Sequence, residues 1–333
     1  FYIRGDKMTK REQTILTFFL SRALNFGWGL SVIFNYTNNH SILASFIGGL
    51  LGFLLIIFLT TRDFSKIRNS LLGKIIIFIL SLYMINTTMI TFCALTTNFY
   101  LTNTPPLIIA LSLYGLVIYG IKNGLKSIAR LGEILSIISA ILLVTIAIFI
   151  LSNINLSNFL PLSYNKEYNY LLTILTSISY SVTPVLLLLF NLDNYNRKSI
   201  ILGYSLGVIS ILINIFGITS ILGSTLAKIY RYPEFIMLKK VSVLSFLDRI
   251  ENFLALKFFI DILMTSLLAT YNLKKIIKKK YLYIFGLIFI FISLNTFITH
   301  YQNTSYLYYY SYLVLSILLI ITIIFSKRYS KKE

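Results

Sequence analysis

Long apolar runs alternate with short polar or basic breaks along the whole chain. Crossing about 30 Å of hydrocarbon at about 1.5 Å per residue takes about 20 apolar residues. Ten stretches approach that length: 13–34, 42–59, 75–95, 106–120, 135–151, 170–192, 200–222, 253–271, 281–298 and 307–325. They read as transmembrane helices. Thr104-Pro105-Pro106 opens the fourth, where a fixed φ and a missing N–H suit a helix start. The first span departs from the pattern, because Arg22 and the pair Gly27 and Gly29 lie inside it. An arginine at the bilayer centre costs at least about 2.5 kcal/mol and faces a protein interior or a watery cavity. Glycines weaken the helix just beyond it, so span one is expected to be broken.

Lys and Arg sort onto alternate connections. Arg4, Lys7, Lys10 and Arg11 precede span one; Arg62, Lys66, Arg68 and Lys74 follow span two; Lys122, Lys126 and Arg130 follow span four. Lys274, Lys275, Lys278, Lys279 and Lys280 follow span eight, and Lys327, Arg328, Lys331 and Lys332 close the chain. The loops at 35–41, 96–106 and 299–306 have neither residue. This positive-inside pattern places both termini in the cytoplasm. Arg130 and Glu133, three apart, can pair on one helical face.

A second polar interruption, Ser177, Ser179, Tyr180, Ser181, Thr183 and Pro184, falls in span six. Serine and threonine in a span are often interhelical glue, but this crowding beside a proline predicts a discontinuous helix. Spans one and six are five apart, and an odd number inverts the second copy of a repeat. The expectation is one all-α transmembrane domain over 1–333 with ten helices. Its inverted halves cover about 13–151 and 170–325, helices 1 and 6 are broken, and a site lies between them near the midplane.

Composition agrees. With 57% hydrophobic residues, 12% charged residues and a mean hydropathy of +0.80, the chain holds more apolar surface than a soluble core hides. The net charge of +19 sits in the connections, which points to membrane topology and not to nucleic acid. Cys93, the lone cysteine, excludes an internal disulfide and reads as a packing residue. His40 and His300 have no second ligand nearby, and no nucleophile–base pair, P-loop or dinucleotide fingerprint occurs. No metal, cofactor or enzymatic activity is expected.

Two readings of the first interruption stand side by side. Gly27 and Gly29 suit close helix packing. They also suit an unwound backbone whose amides and carbonyls hold a small zwitterion. The spacing to the second interruption favours the latter, with candidate contacts Asn25, Phe26, Gly27, Trp28, Gly29, Ser177, Ser179, Tyr180, Ser181 and Thr183. Thr87 and Thr91 of span three are candidate wall residues, with Asn86 and Thr88 beside them. Arg22 needs a buried partner, and Asp261 is the one acid near the middle of a span, so the two are expected to pair beneath the pocket. That pair reads equally as an inner gate, as a replacement for a coupling cation, or as purely structural. Lys257, nearer the end of span eight, is expected to snorkel.

Three further stretches carry a resemblance. They are Thr104-Pro105-Pro106 with the later run Gly124 to Glu133, Phe159-Leu160-Pro161-Leu162, and Tyr232-Pro233-Glu234 leading into Val243 to Glu251. In their order and spacing the chain resembles the B subunit of spore germination receptors, the GerAB family, a permease-like branch of the amino acid/polyamine/organocation superfamily. Ser245 stands where that family often has aspartate, and span one lacks a proline after its glycines. The resemblance implies a LeuT-like fold that senses a germinant, an amino acid, between spans one and six. It further implies a larger A subunit and a C lipoprotein as partners in the spore inner membrane, the alternative being an ion-coupled amino acid transporter. The segment 223–252 reads as a lid or docking surface: Pro233 opens a helix, Glu234 suits its first turn, and its charges form a solvated face.

Overall fold

A computed structural model describes residues 8–25, 28–160, 168–241, 251–277, 286 and 305–325. Span nine apart from Gly286, the run 243–250, Arg4 and Lys7, Lys278 to Lys280 and the C-terminal basic cluster lie outside the described residues. All regular structure among those described is helical. The helices are α1 (Lys10–Ala23), α2 (Trp28–Thr37), α3 (Ser41–Leu59), α4 (Phe64–Asn69), α5 (Leu71–Phe99) and α6 (Pro106–Gly120). There follow α7 (Leu125–Leu151), α8 (Tyr170–Leu189), α9 (Arg197–Ile229), α10 (Pro233–Lys240), α11 (Glu251–Ile276) and α12 (Ser305–Ile324). Among the described residues, six stretches are long and apolar enough to cross a membrane, with two shorter apolar helices beside them, Pro106–Gly120 and Tyr310–Ile324.

The exterior of the spans is apolar, unlike a soluble protein's surface, and polar and charged side chains are buried within a largely apolar interior. On α7 the exposed stripe is Ile134, Ile137, Ile141, Val144 and Ile148 at helical spacing; on α3 it is Leu43, Phe46, Leu50 and Leu54. Arg22, Lys257, Asp261 and a set of serines and threonines are buried instead.

At the centre is α1, which packs against α7, α8, α9 and α11. Its start is fixed by a reciprocal cap: the Glu12 amide donates to Thr9 Oγ1 at 3.1 Å and the Thr9 amide to Glu12 Oε2 at 2.6 Å. It meets α9 over Gly203 and Gly207, a G-x-x-x-G pair. A Cβ on Gly203 would run into the Thr14 carbonyl and lie 2.7 Å from Thr17 Cβ; one on Gly207 would meet Ser21 Oγ. Helix α9 changes course at Gly223, whose φ of 76° suits glycine, where the sequence places the end of span seven.

Span one is two helices, with the break between Ala23 and Trp28. Span six differs from expectation: α8 runs unbroken from Tyr170 to Leu189 with Pro184 inside it. Hydroxyls that bond back to the preceding turn, such as Ser181 Oγ to Ser177 O at 2.6 Å, leave the local backbone helical, and buried neighbours on both sides hold it. The Arg130–Glu133 pairing is replaced as well, since Glu133 Oε1 faces Arg11 Nε at 3.6 Å.

The α1–α9 approach leaves no room for a side chain at Gly203. Gly203→Val should lower the melting temperature of the purified protein in detergent, with an overpacking cost of about 1–3 kcal/mol. Gly115→Ala, where nothing lies within 4 Å of the new Cβ, should not lower it.

Candidate functional site

Arg22 closes the last turn of α1, where a cation meets the negative end of the helix dipole. It is fully buried. Its Nη2 donates to Asp261 Oδ1 at 2.6 Å and to Ser139 Oγ at 2.7 Å, and its Nε reaches the same Asp261 oxygen at 3.2 Å. The guanidinium also stacks on Phe18, 3.9 Å from the ring centroid. One side chain thereby joins α1, α7 and α11.

Asp261 has a second cation. Lys257 Nζ approaches Asp261 Oδ2 at 3.4 Å from one turn earlier on α11, and its side chain is fully buried. The expected snorkelling does not occur, because a lysine four residues from an aspartate shares its helical face and here follows it inward. Glu234 of α10 acts electrostatically on Lys257 and is itself buried. The solvated-face reading of the segment after span seven is corrected on this point: α10 inserts Pro233, Glu234, Phe235, Met237 and Leu238 into the protein. Among the described residues, Arg22, Lys257, Asp261 and Glu234 thus bring buried charges of both signs together from α1, α10 and α11.

The break lies beside α8. A Cβ on Gly29 would sit 2.5 Å from the Leu24 carbonyl and 3.1 Å from the Tyr180 ring. At the start of α8 the Asn169 amide, its N-cap, donates to the Tyr36 carbonyl of α2 at 3.0 Å. These two contacts set an antiparallel register in which Thr183 and Pro184 fall level with the break. Pro184 has no N–H to offer the turn before it. The second interruption therefore lies opposite the first, although its helix continues.

The predicted contacts divide. Gly29, Tyr180 and, by register, Thr183 come together, and Asn25 is buried in the break with its amide 3.5 Å from Ser21 O. Ser179 is buried on the Thr183 side of α8. Ser177 and Ser181 face away: a Cβ on Gly48 of α3 would lie 2.7 Å from Ser177 Cβ, and Ser181 Oγ shares a hydrogen with Tyr204 of α9 at 2.9 Å. Thr87 donates to its own helix at Tyr83 O, 2.8 Å away, and the carbonyl of Thr91 takes Tyr232 Oη at 3.5 Å under α10. Phe26 and Gly27 lie outside the described residues, as does the side chain of Trp28.

Sequence reasoning missed Ser139, Glu234, Lys257 and an aromatic wall. Tyr312 of α12 lies 5.4 Å from Tyr180 between ring centroids and 6.0 Å from Tyr83. A cavity of about 840 Å³ opens at the basic end, lined by Lys10, Gln13, Lys122, Asn196, Lys274 and Lys275 among others.

An apolar exterior, charged and hydroxyl side chains buried in the interior, and a helix broken beside a buried charge cluster define a multi-helix integral membrane protein of permease type. A family model described as spore germination protein (Spore_permease) matches residues 42–304, and the chain belongs to that GerAB-like family. It is a permease- or receptor-like family and not one of enzymes. The matched range includes Lys257 and Asp261 and starts after α1 and α2. No curated protein matches the chain.

Asp261 accepts from two buried cations. Asp261→Ala should destabilise the protein by about 3–5 kcal/mol, read from thermal or chemical unfolding in detergent, since it removes the carboxylate that faces Arg22. Lys257→Met and Glu234→Gln should each destabilise, and their combination should cost less than the sum of the two, with a coupling of about 0.5–3 kcal/mol in a double-mutant cycle.

Proposed function

We propose that the chain is the germinant-sensing subunit of a spore germination receptor, binding an amino acid at the break between α1 and α2. The observation that carries this reading is the coincidence, in one antiparallel register, of the broken helix with the Thr183-Pro184 turn of α8. A broken helix near the membrane midplane offers backbone donors and acceptors to a small polar ligand. Asn25, Gly29, Tyr180 and Thr183 line it in this reading, with Phe26, Gly27 and Trp28 completing the stretch by sequence alone.

The architecture in this reading is a single domain of ten helices in a LeuT-like inverted repeat, with halves at about 13–151 and 170–325. The Arg22–Asp261 pair acts as an inner gate, since separating α1 from α11 must break it. Both termini face the cytoplasm of the dormant spore, and the output passes to the A subunit and the C lipoprotein. Ligand binding shifts the balance between two conformations and so biases those partners.

A second reading, an ion-coupled amino acid transporter, is favoured by the cavity at the basic end, beside the start of α1. Uptake separates the two. Purified protein in liposomes should bind a labelled amino acid without accumulating it; accumulation driven by a proton or sodium gradient would make the chain a transporter. In spores, Gly29→Leu should abolish the response to the amino acid germinant because its side chain meets Tyr180, and a normal response would remove the break from the ligand site.

A further inference from the structure

A cavity of about 360 Å³ lies where α5 ends, α10 ends and α11 begins, at the opposite end of α11 from Lys274 and Lys275. Phe99, Tyr100, Phe235, Lys239, Glu251 and Asn252 line it. Packing does not account for Glu251. The residue is 9% exposed, and its Oε2 has no hydrogen-bond partner. Buried polar atoms are almost always bonded, and an ionised carboxylate only accepts, so whatever meets Oε2 supplies a donor. Its place in the first turn of α11 favours the negative charge.

The rest of the wall suits a cation. Phe99 and Phe235 stand 4.2 Å apart between ring centroids, and Tyr100 lies 6.1 Å from Phe235. Tyr100 donates to Asn252 Oδ1 at 2.9 Å; burial and the Glu251 charge push its phenol up to about 12, so it stays neutral. An ammonium already uses these rings: Lys239 Nζ lies 5.2 Å from the Phe99 centroid and 5.4 Å from that of Phe235. Among the described residues, however, Lys239 forms no ion pair with Glu251. Lys239 is exposed in the last turn of α10, so its flexible stem can carry the charge off the rings into water.

We propose that this cavity is a second ligand site, for a small primary ammonium compound whose N–H groups bond Glu251 Oε2 and whose charge takes the place of Lys239 against Phe99 and Phe235. The exchange of one cation for another leaves the charge inside the cavity as it was, and the carboxylate gains the charge-assisted hydrogen bond that Lys239 does not make. The cavity shares no lining residue with the break between α1 and α2 and does not depend on what binds there.

Calorimetry on the purified full-length protein tests this with 2-phenylethylammonium, its neutral isostere 2-phenylethanol and its trimethylated analogue. The wild type should bind the primary ammonium at least about tenfold more tightly than the alcohol. It should also prefer it to the trimethylated ion, which carries the charge but no N–H. Glu251→Gln should cut the affinity for the primary ammonium at least about tenfold. Lys239→Met keeps the stem, removes the competing charge and should raise that affinity. Unaltered binding in Glu251→Gln, or weaker binding in Lys239→Met, overturns the inference. Should Glu251→Gln not fold, equal binding of the ammonium and the alcohol by the wild type overturns it. None of these failures touches the proposed germinant site, which other residues line.

Discussion

Burying charge where neither water nor lipid can solvate it is the constraint on which this structure depends. Desolvating an ion costs several kcal/mol after relaxation, and only close partners recover it. Arg22, Asp261, Lys257 and Glu234 meet that demand collectively, with Asp261 accepting from both cations through its two oxygens. The helices that carry them cannot drift apart freely. Helix α1 is held to α7 and α11 by one guanidinium and to α9 by the close approach at Gly203 and Gly207.

The break follows from this fixed end. Beyond Arg22 the chain leaves helical geometry through Leu24 and Asn25 and resumes as α2, whose Gly29 lies under Tyr180. A residue with a side chain at 29 would push α2 away from α8. The glycine therefore serves close packing, and that same packing is what brings the break opposite Thr183 and Pro184. The two meanings first attached to the glycine pair are compatible at position 29.

Much of this was legible in the residues. Span length and the placement of Lys and Arg identify the class, and the family match at 42–304 agrees with the three stretches quoted for it. The Arg22–Asp261 contact was legible because a buried cation needs an anion and few acids lie inside spans. Lys257 was misjudged: its four-residue spacing to Asp261 outweighs its nearness to a helix end. The continuity of α8 was not legible, since a proline among serines and threonines fits a broken helix and a bent one equally until neighbours are known. Tyr83 and Tyr312 gave no signal, because in a chain with 24 tyrosines no single one stands out. Ser139 and Glu234 depend on tertiary contacts that no local pattern encodes.

Charge reversal across α1 and α11 probes whether the Arg22–Asp261 pair holds these two helices together. Arg22→Asp and Asp261→Arg should each sharply lower the melting temperature of the purified protein, because each places two like charges face to face in the interior. Combined in one protein, they restore opposite charges across the same helix contact and should recover a large part of the loss. If the combined variant were as unstable as the sum of the two, the pair would not be the interaction that holds these helices.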